Sequence, residues 1–179
     1  MNYCSNCGSD QLEFSIPPSD HKQRFCCLNC KTIHYQNPTM IVGCIVEYGS
    51  KILLAKRGIE PRKNYWNLAC GFMENNETAE EGAIREVFEE TGLKVKIQSL
   101  HTVYSVPKSN QVYLNYSAIA EDPNFILTEE STEIEFFSEN DIPWSEIAFS
   151  SNIFALKNYF QKGNSNSSKV YIGKSHVGL

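Results

Sequence analysis

The chain has 179 residues, of which 41% are hydrophobic and 21% charged, and its formal net charge is −5 at pH 7. This composition is typical of a soluble globular protein with room for one domain and a small accessory module. The acidic balance argues against nucleic acid as a partner, and no apolar run approaches the ~18 residues of a membrane span. Because the first residues, MNYCSNC, show no secretory signal, we expect a cytoplasmic protein that binds no membrane.

The first 30 residues contain five of the seven cysteines. Two CxxC pairs, Cys4 with Cys7 and Cys27 with Cys30, are separated by nineteen residues. In a reducing compartment such pairs indicate metal ligands rather than disulfides, and four thiolates suit a tetrahedral zinc ion. Residues 1–36 hold too little apolar material to form a core, so we predict a structural zinc ribbon there.

Two alternatives to this set of zinc ligands are open. Cys26 adjoins Cys27 and could take its place, although the CxxC spacing to Cys30 favours Cys27 and leaves Cys26 spare. His21 could also replace a cysteine, although a polar loop histidine is the simpler interpretation.

From residue 37 the sequence becomes more apolar and predicts strands around two helices. The predicted strands are Met40–Val46, Lys51–Ala55, Tyr65–Cys70, Val95–Val106, Gln111–Ala120 and Thr132–Ser138. One helix is predicted after Asn76 and another over Ser150–Gln161. This order indicates an α/β layered main domain over residues 37–162. A polar C-terminal tail, residues 163–179, would follow, with a flexible GNSNSS segment and then KVYIGK, which could form a short strand.

The first predicted helix carries most of the polar chemistry. Thr78 and Glu81 form a capping box, so the helix should begin near Ala79, and Gly92 supplies its C-terminal stop. At 100° per residue the apolar side chains share one face, and the opposite face holds Arg85, Glu86, Glu89 and Glu90. A solvated charged face is the ordinary interpretation of such a helix. Three clustered glutamates repel one another, however, and a divalent cation would turn that repulsion into a binding site.

The segment containing this helix resembles the Nudix box. The matching positions are Gly71, Glu77, Arg85, Glu86, Val87, Glu89, Glu90, Gly92 and Leu93. The resemblance to Nudix hydrolases implies an α/β/α sandwich with a mixed sheet and hydrolysis of a phosphoanhydride. It implies that Mg²⁺ (or Mn²⁺) is bound by the Gly71 carbonyl and by the carboxylates of Glu86, Glu89 and Glu90. Arg85 would hold these glutamates in place and Glu77 would brace the loop before the helix.

The general base varies within this family between a box glutamate and a glutamate on a later loop. The later source in this chain is the acidic stretch of Glu129, Glu130, Glu133 and Glu135. Among these we favour Glu133, although each of them could equally lie on a solvated loop.

Two positions near the box depart from the family pattern. Cys70 stands in the loop Leu68–Phe72, where relatives commonly have Leu-Pro-Ala-Gly-Phe, and it adjoins the expected metal-binding carbonyl. It is either a small buried residue or an oxidation-sensitive one. Asn76 replaces a common glycine before Glu77, and asparagine tolerates the positive φ that this turn requires.

The substrate class is also implied by resemblance. The layout is similar to that of NADH pyrophosphatases, but their Ser-Gln-Pro-Trp-Pro-Phe-Pro motif is absent. Flanking motifs such as Ile33–Pro38 and Ile142–Trp144 resemble the zinc-ribbon subfamily that includes FAD pyrophosphatases with some action on ADP-ribose. The products would be AMP with FMN or with ribose 5-phosphate. The alternatives are an NADH pyrophosphatase, a housecleaning nucleoside triphosphate pyrophosphatase and a non-catalytic ligand-binding module.

Four residues outside the box are candidates for substrate contacts. Arg57 and Arg62 could pair with phosphates, and Trp66 or Tyr113 could stack on a flat ring. The competing interpretations are core packing for Trp66 and solvated charge for Arg62. For the zinc ribbon, the acidic composition favours a structural or dimer-supporting role over nucleic-acid binding, so a homodimer is the macromolecular assembly left open.

Overall fold

The computed structural model describes residues 1–161 and 169–175 of the chain. The chain divides into two compact units, Met1–Asn37 and a second unit that begins at Pro38. The GNSNSS segment of the predicted tail lies outside the described residues. No helix among the residues described is long and apolar enough to cross a membrane.

The N-terminal unit is a small antiparallel sheet. Its strands, in sheet order, are β1 (Leu12–Ser15), β2 (Arg24–Cys27) and β3 (Ile33–His34). None of these strands was predicted, because the segment lacks the apolar alternation that marks a half-buried strand. Phe14 of β1 and Phe25 of β2 lie side by side, with ring centroids 4.9 Å apart.

The second unit is built on an eight-stranded sheet. Its strands are β4 (Thr39–Tyr48), β5 (Lys51–Arg57), β6 (Trp66–Asn67), β7 (Ala69–Phe72), β8 (Val95–Val106), β9 (Gln111–Ala120), β10 (Ser131–Phe137) and β11 (Tyr171–Lys174). The order is β10-β5-β4-β9-β8-β11, with β6 paired to β5 and β7 paired to β4. The β4–β9 and β8–β11 pairs are parallel and the others antiparallel, so the sheet is mixed, as predicted.

Two helices cover the two faces of this sheet. They are α1 (Ala79–Thr91) and α2 (Ser150–Phe160). Along β4, Cys44 and Val46 pack in one core with Val87 of α1, whereas Ile45 packs in a second core with Leu156 of α2. Successive side chains of a strand point to opposite faces, so this alternation places the helices on opposite sides of the sheet. The predicted α/β/α sandwich is confirmed.

The ends of α1 agree with the sequence prediction. The Thr78 side chain accepts a hydrogen bond from the Glu81 N–H at 3.2 Å, and Glu81 Oε2 accepts from the Thr78 N–H at 2.8 Å. Gly92 ends the helix at φ 71°, and Asn76 holds the preceding turn at φ 69°. These left-handed positions explain why glycine and asparagine occupy them.

One difference from the predicted elements lies just before α1, whereas the short strand expected within KVYIGK is present. The single strand predicted over Tyr65–Cys70 is divided at Leu68 into β6 and β7, which pair with different neighbours. The predicted polar tail contributes β11, which lies at the sheet edge beside β8. A Cβ at Gly173 would lie 2.7 Å from the Phe154 ring, so glycine lets β11 approach α2 closely.

Candidate active site

A cleft of about 590 Å³ lies over α1, β7 and the loops that follow β5 and precede β10. Its walls differ in chemistry. The acidic wall consists of six glutamates, Glu60, Glu74, Glu86, Glu89, Glu90 and Glu130, and the apolar wall includes Ile41, Ile59, Pro61, Phe72, Tyr113 and Phe149. Two guanidinium groups, from Arg57 and Arg85, line the same cleft. Such a cleft can hold an anionic group at one end and a flat apolar group at the other.

Arg85 organises the acidic wall. Its Nε and Nη2 donate to the two carboxylate oxygens of Glu77 at 3.0 and 2.8 Å. Its Nη1 donates to Glu86 at 2.8 Å and to Glu89 at 3.0 Å. The bidentate pair lowers the pKa of Glu77 to about 2 and raises the pKa of Arg85. Arg85 therefore stays charged and fixes Glu86 and Glu89 of α1 relative to the loop before the helix.

Glu77 ties the preceding loop to this network. Its Oε1 also accepts a hydrogen bond from the Glu74 N–H at 2.7 Å, and Arg85 Nη2 donates to the Phe72 carbonyl at 3.1 Å. The loop between β7 and α1 is thus held at both ends by one ion pair, which is the bracing role expected for Glu77.

Gly71 lies directly against the Glu86 side chain. A Cβ added at Gly71 would overlap the Glu86 carboxylate. Glycine at this position therefore allows the backbone of β7 to approach α1 closely enough for the Gly71 carbonyl and the helix carboxylates to share one site.

Glu90 is the most desolvated carboxylate of the site. Desolvation and the nearby charges of Glu86 and Glu130 raise the pKa of Glu90 to about 8, although a hydrogen bond with the Cys70 backbone opposes this shift. Burial and the charges of Glu89 and Glu130 also raise the pKa of Glu86. These shifts come first from the burial of the carboxylates and second from the repulsion between like charges. An all-oxygen, net-negative donor set of this kind fits a hard divalent cation such as Mg²⁺ or Mn²⁺.

The N-terminal unit contains a separate cluster of four cysteines. The Sγ atoms of Cys4, Cys7, Cys27 and Cys30 all lie within 4.8 Å of one another, and no other such His/Cys/Asp/Glu group occurs in the part of the chain that the structure describes. The Cys4–Cys30 and Cys7–Cys27 sulfur pairs are 3.6 and 3.7 Å apart. Four thiolates about 2.3 Å from a tetrahedral zinc ion are separated by about 3.8 Å, so the cluster fits zinc.

The two cysteine turns have the same backbone form. The Gly8 N–H donates to the Cys4 carbonyl at 2.9 Å, and the Lys31 N–H donates to the Cys27 carbonyl at 3.0 Å. Gly8 has φ 74° and Lys31 has φ 61°, so lysine adopts the left-handed conformation that glycine provides in the first turn. Cys27 is in the cluster and Cys26 is not, as the CxxC spacing predicted.

Family models match both units of the chain. Residues 37–156 match the NUDIX domain, and residues 2–36 match the Nudix N-terminal zinc ribbon. The chain belongs to the Nudix family. It is a Nudix hydrolase of the pyrophosphatase class, and the resemblance found in the box residues is confirmed.

Three similar proteins show how far the likeness extends. The ADP-ribose pyrophosphatase of Methanocaldococcus jannaschii is 36% identical over 113 residues, which are 61% of this chain and 67% of that protein. The NAD-capped RNA hydrolase NudC of Escherichia coli is 25% identical over 142 residues, 79% of this chain, and the chain spans only 53% of that protein. A crystal structure of a NUDIX hydrolase from Nitrosomonas europaea has a TM-score of 0.93 and 43% identity, and the match covers 98% of this chain and 99% of that one.

Among the substrate contacts predicted for this Nudix enzyme, only two lie in the cleft. Arg57 and Tyr113 line it. Trp66 is 5% exposed in the second core, edge-on to the Phe137 ring at 4.9 Å, in keeping with core packing and not with stacking on substrate. Arg62 lies over the Tyr65 ring and is not among the lining residues, in keeping with the alternative of a solvated charge.

The loop glutamate in the cleft is Glu130 and not Glu133. Glu133 lies on β10 and pairs with Lys56 at 3.1 Å, on a half-exposed surface outside the cleft lining. The loop is anchored by the Gly58 N–H, which donates to the Glu130 carbonyl at 2.8 Å. A register irregularity between Ser131 and Glu133 separates the two glutamates. The sequence could not reveal which of them faces the cleft, because that depends on this irregularity.

Replacing Arg85 by lysine tests the role of the several N–H donors of its guanidinium group. Lysine keeps the charge but cannot bind Glu77 through two nitrogens while also reaching Glu86 and Glu89. We expect kcat to fall roughly ten- to hundredfold, as when partners that orient metal ligands are removed. Steady-state kinetics measure kcat, and the midpoint of urea unfolding shows whether the variant keeps its stability.

A matched control is Arg24→Lys. Arg24 also forms an ion pair with a carboxylate, Asp20, at 3.0 Å, but lies in the N-terminal unit and does not line the cleft. A loss of kcat in Arg24→Lys equal to that in Arg85→Lys would contradict the assigned role of the Arg85 network.

Proposed function

We propose that this Nudix hydrolase cleaves the pyrophosphate linkage of a nucleoside diphosphate joined to a second moiety, with Mg²⁺ or Mn²⁺, and that ADP-ribose and FAD are its preferred substrates. The observation that carries the proposal is the cleft, whose lining combines an acidic wall of six carboxylates, an apolar wall and the Arg57 guanidinium group, which forms no ion pair among the described residues. A diphosphate needs the first wall and a nucleoside or flavin ring needs the second.

The acidic wall would hold the cation. Glu86, Glu89 and Glu90 offer carboxylate oxygens, and Gly71, whose carbonyl would be a further ligand, lies against the Glu86 side chain. A bound divalent cation neutralises the diphosphate and lowers the pKa of water. Arg85 keeps Glu86 and Glu89 oriented towards this position. These residues supply the charge balance that the diphosphate requires.

Arg57 supports the phosphate side of the proposal. Its Nε donates to the Pro61 carbonyl at 2.8 Å, and its guanidinium carbon lies 5.2 Å from the centre of the Phe149 ring. Among the described residues it forms no ion pair, whereas Arg85 is committed to Glu77, Glu86 and Glu89. The terminal nitrogens of Arg57 are therefore the donors that can bind a substrate phosphate.

Glu130 supports the hydrolytic step. Its charge acts on both Glu86 and Glu90, so its carboxylate faces the same space as the cation ligands. We assign Glu130 as the general base that accepts a proton from the attacking water. Attack on one phosphorus of ADP-ribose or FAD breaks the phosphoanhydride and gives AMP with ribose 5-phosphate or with FMN.

The four-cysteine cluster supports structural zinc. Because the N-terminal unit has a small apolar core, metal binding would supply most of its folding free energy. A zinc site of reduced cysteines agrees with a cytoplasmic protein. A homodimer stays a prediction of the sequence.

Zinc content is directly measurable. We expect close to one zinc per chain by elemental analysis, and Cys7→Ser should lower the zinc content and expose residues 1–36 to proteolysis, because serine is a poor zinc ligand. Cys26→Ser is the matched control, since Cys26 lies outside the cluster. Full zinc content in Cys7→Ser would contradict the site.

The assignment of the general base is tested at Glu130 and Glu133, which are three positions apart. Glu130→Gln should lower kcat by roughly a hundred- to ten-thousandfold, the usual contribution of a general base. Glu133→Gln should leave kcat within about twofold, because exposed ion pairs contribute little. Equal losses, or a larger loss in Glu133→Gln, measured at saturating Mg²⁺, would overturn the choice of Glu130.

Substrate preference is tested by kcat/KM for ADP-ribose, FAD, NADH and a deoxynucleoside triphosphate. Because the metal and diphosphate contacts are common to all, discrimination must arise at the apolar wall, where contacts give about ten- to thousandfold differences. We expect ADP-ribose and FAD to exceed the others by about tenfold or more. A reversed order would reject the substrate assignment and leave the reaction class intact.

A further inference from the structure

The buried side-chain amides of Asn152 and Asn67 connect α2 with β6, the strand that precedes β7 and the loop before α1. Asn152 of α2 is 0% exposed, and its Nδ2 donates to Oδ1 of Asn67. Asn67, which is 3% exposed and lies at the cleft, donates in turn from Nδ2 to Sγ of Cys70 at 3.7 Å. The carboxamide of Asn67 is therefore engaged at both its oxygen and its nitrogen.

Cys70 links these two amides to the active site, because it contacts Asn67 and lies in the cleft lining. It immediately precedes Gly71, and its backbone forms a hydrogen bond with Glu90. On its other side it pairs with Gly43 of β4, where an added Cβ would overlap the Cys70 side chain. Cys70 is thus held by β4, by Asn67 and by Glu90, so a shift of Cys70 would move the Gly71 carbonyl and the Glu90 carboxylate together.

Stability alone does not explain an amide at position 152. Its Oδ1 is buried without a hydrogen-bond partner among the described residues. A buried polar atom that lacks a partner costs free energy, whereas an apolar side chain of similar size would not carry this cost. What asparagine adds at this position is a directional hydrogen bond to Asn67.

We propose that Asn67 is a positioning residue of the active site and that Asn152 fixes its orientation. The two amides hold Cys70, and through Cys70 they set the place of the Gly71 carbonyl and of Glu90. This inference rests on the proposed pyrophosphatase function for its kinetic consequence, but the placement of Cys70 can be measured without turnover.

The kinetic test uses Asn152→Leu and Asn67→Leu, which remove one or both bonds at nearly constant volume. We expect kcat to fall roughly ten- to hundredfold, as for other residues that orient metal ligands. KM should stay within about threefold, because the apolar wall and Arg57 are untouched. The double variant should lose no more than Asn67→Leu, since both changes break one line of contacts.

The structural test measures Cys70 itself. Alkylation by iodoacetamide, located by mass spectrometry at the Cys70 peptide, should be faster in Asn152→Leu than in the wild type, because this change keeps the Asn67 donor near the thiol but removes the contact that fixes its orientation. Amide hydrogen exchange should rise in residues 68–73 and stay unchanged in β8 and β9. The control is Asn158→Leu, because Asn158 is also on α2 but donates to the Phe154 carbonyl of its own helix at 2.8 Å.

Three outcomes would overturn the proposal. They are unchanged kcat and alkylation in folded Asn152→Leu, equal losses in Asn158→Leu, and additive losses in the double variant. Asn152→Ala replaces Asn152→Leu if the leucine variant does not fold. A wild-type protein that hydrolyses none of the diphosphates would reject the proposed function, and alkylation and exchange would still decide the placement of Cys70.

Discussion

The gathering of like charges around Arg85 is the constraint on which the catalytic unit depends. Six carboxylates line the cleft, and burial together with their mutual repulsion raises the pKa of Glu86 and of Glu90. Arg85 offsets part of that repulsion by binding Glu77 through two nitrogens while reaching Glu86 and Glu89. A divalent cation would neutralise the remaining negative charge. The clustered carboxylates therefore repel one another without the cation and provide its ligands when it binds.

The sandwich keeps this charged face fixed in space. The opposite face of α1 buries Ala83 and Val87 against the sheet, so the helix cannot rotate away from the cleft. Glycine at position 71 brings β7 against the same helix. On the other side of the sheet, α2 contributes Phe149 at its N-terminal end and reaches the cleft floor through Asn152 and Asn67. Both helices therefore contribute to one site, although α1 is the helix that carries carboxylates of the cleft.

The two units reach stability by different means. The unit from Pro38 onward buries large apolar side chains on both faces of its sheet, including Leu54 and Leu156. The N-terminal unit has three short strands and a cluster of four cysteines. Small units without a sizeable core are usually stabilised by metal or disulfides, which is why the cysteine spacing was informative.

The resemblance of the box residues implied the family and the sandwich, and the sequence by itself determined the helix of the box with both its caps and the pairing of the four cysteines. These follow from local periodicity and from fixed spacings along the chain, which survive folding unchanged. Only the tertiary structure decided that Trp66 is buried in the core, that Glu130 and not Glu133 faces the cleft, and that Asn152 reaches Cys70 through Asn67. Each of these depends on strand register or on contacts between residues up to 85 positions apart, and spacing along the chain does not encode such contacts.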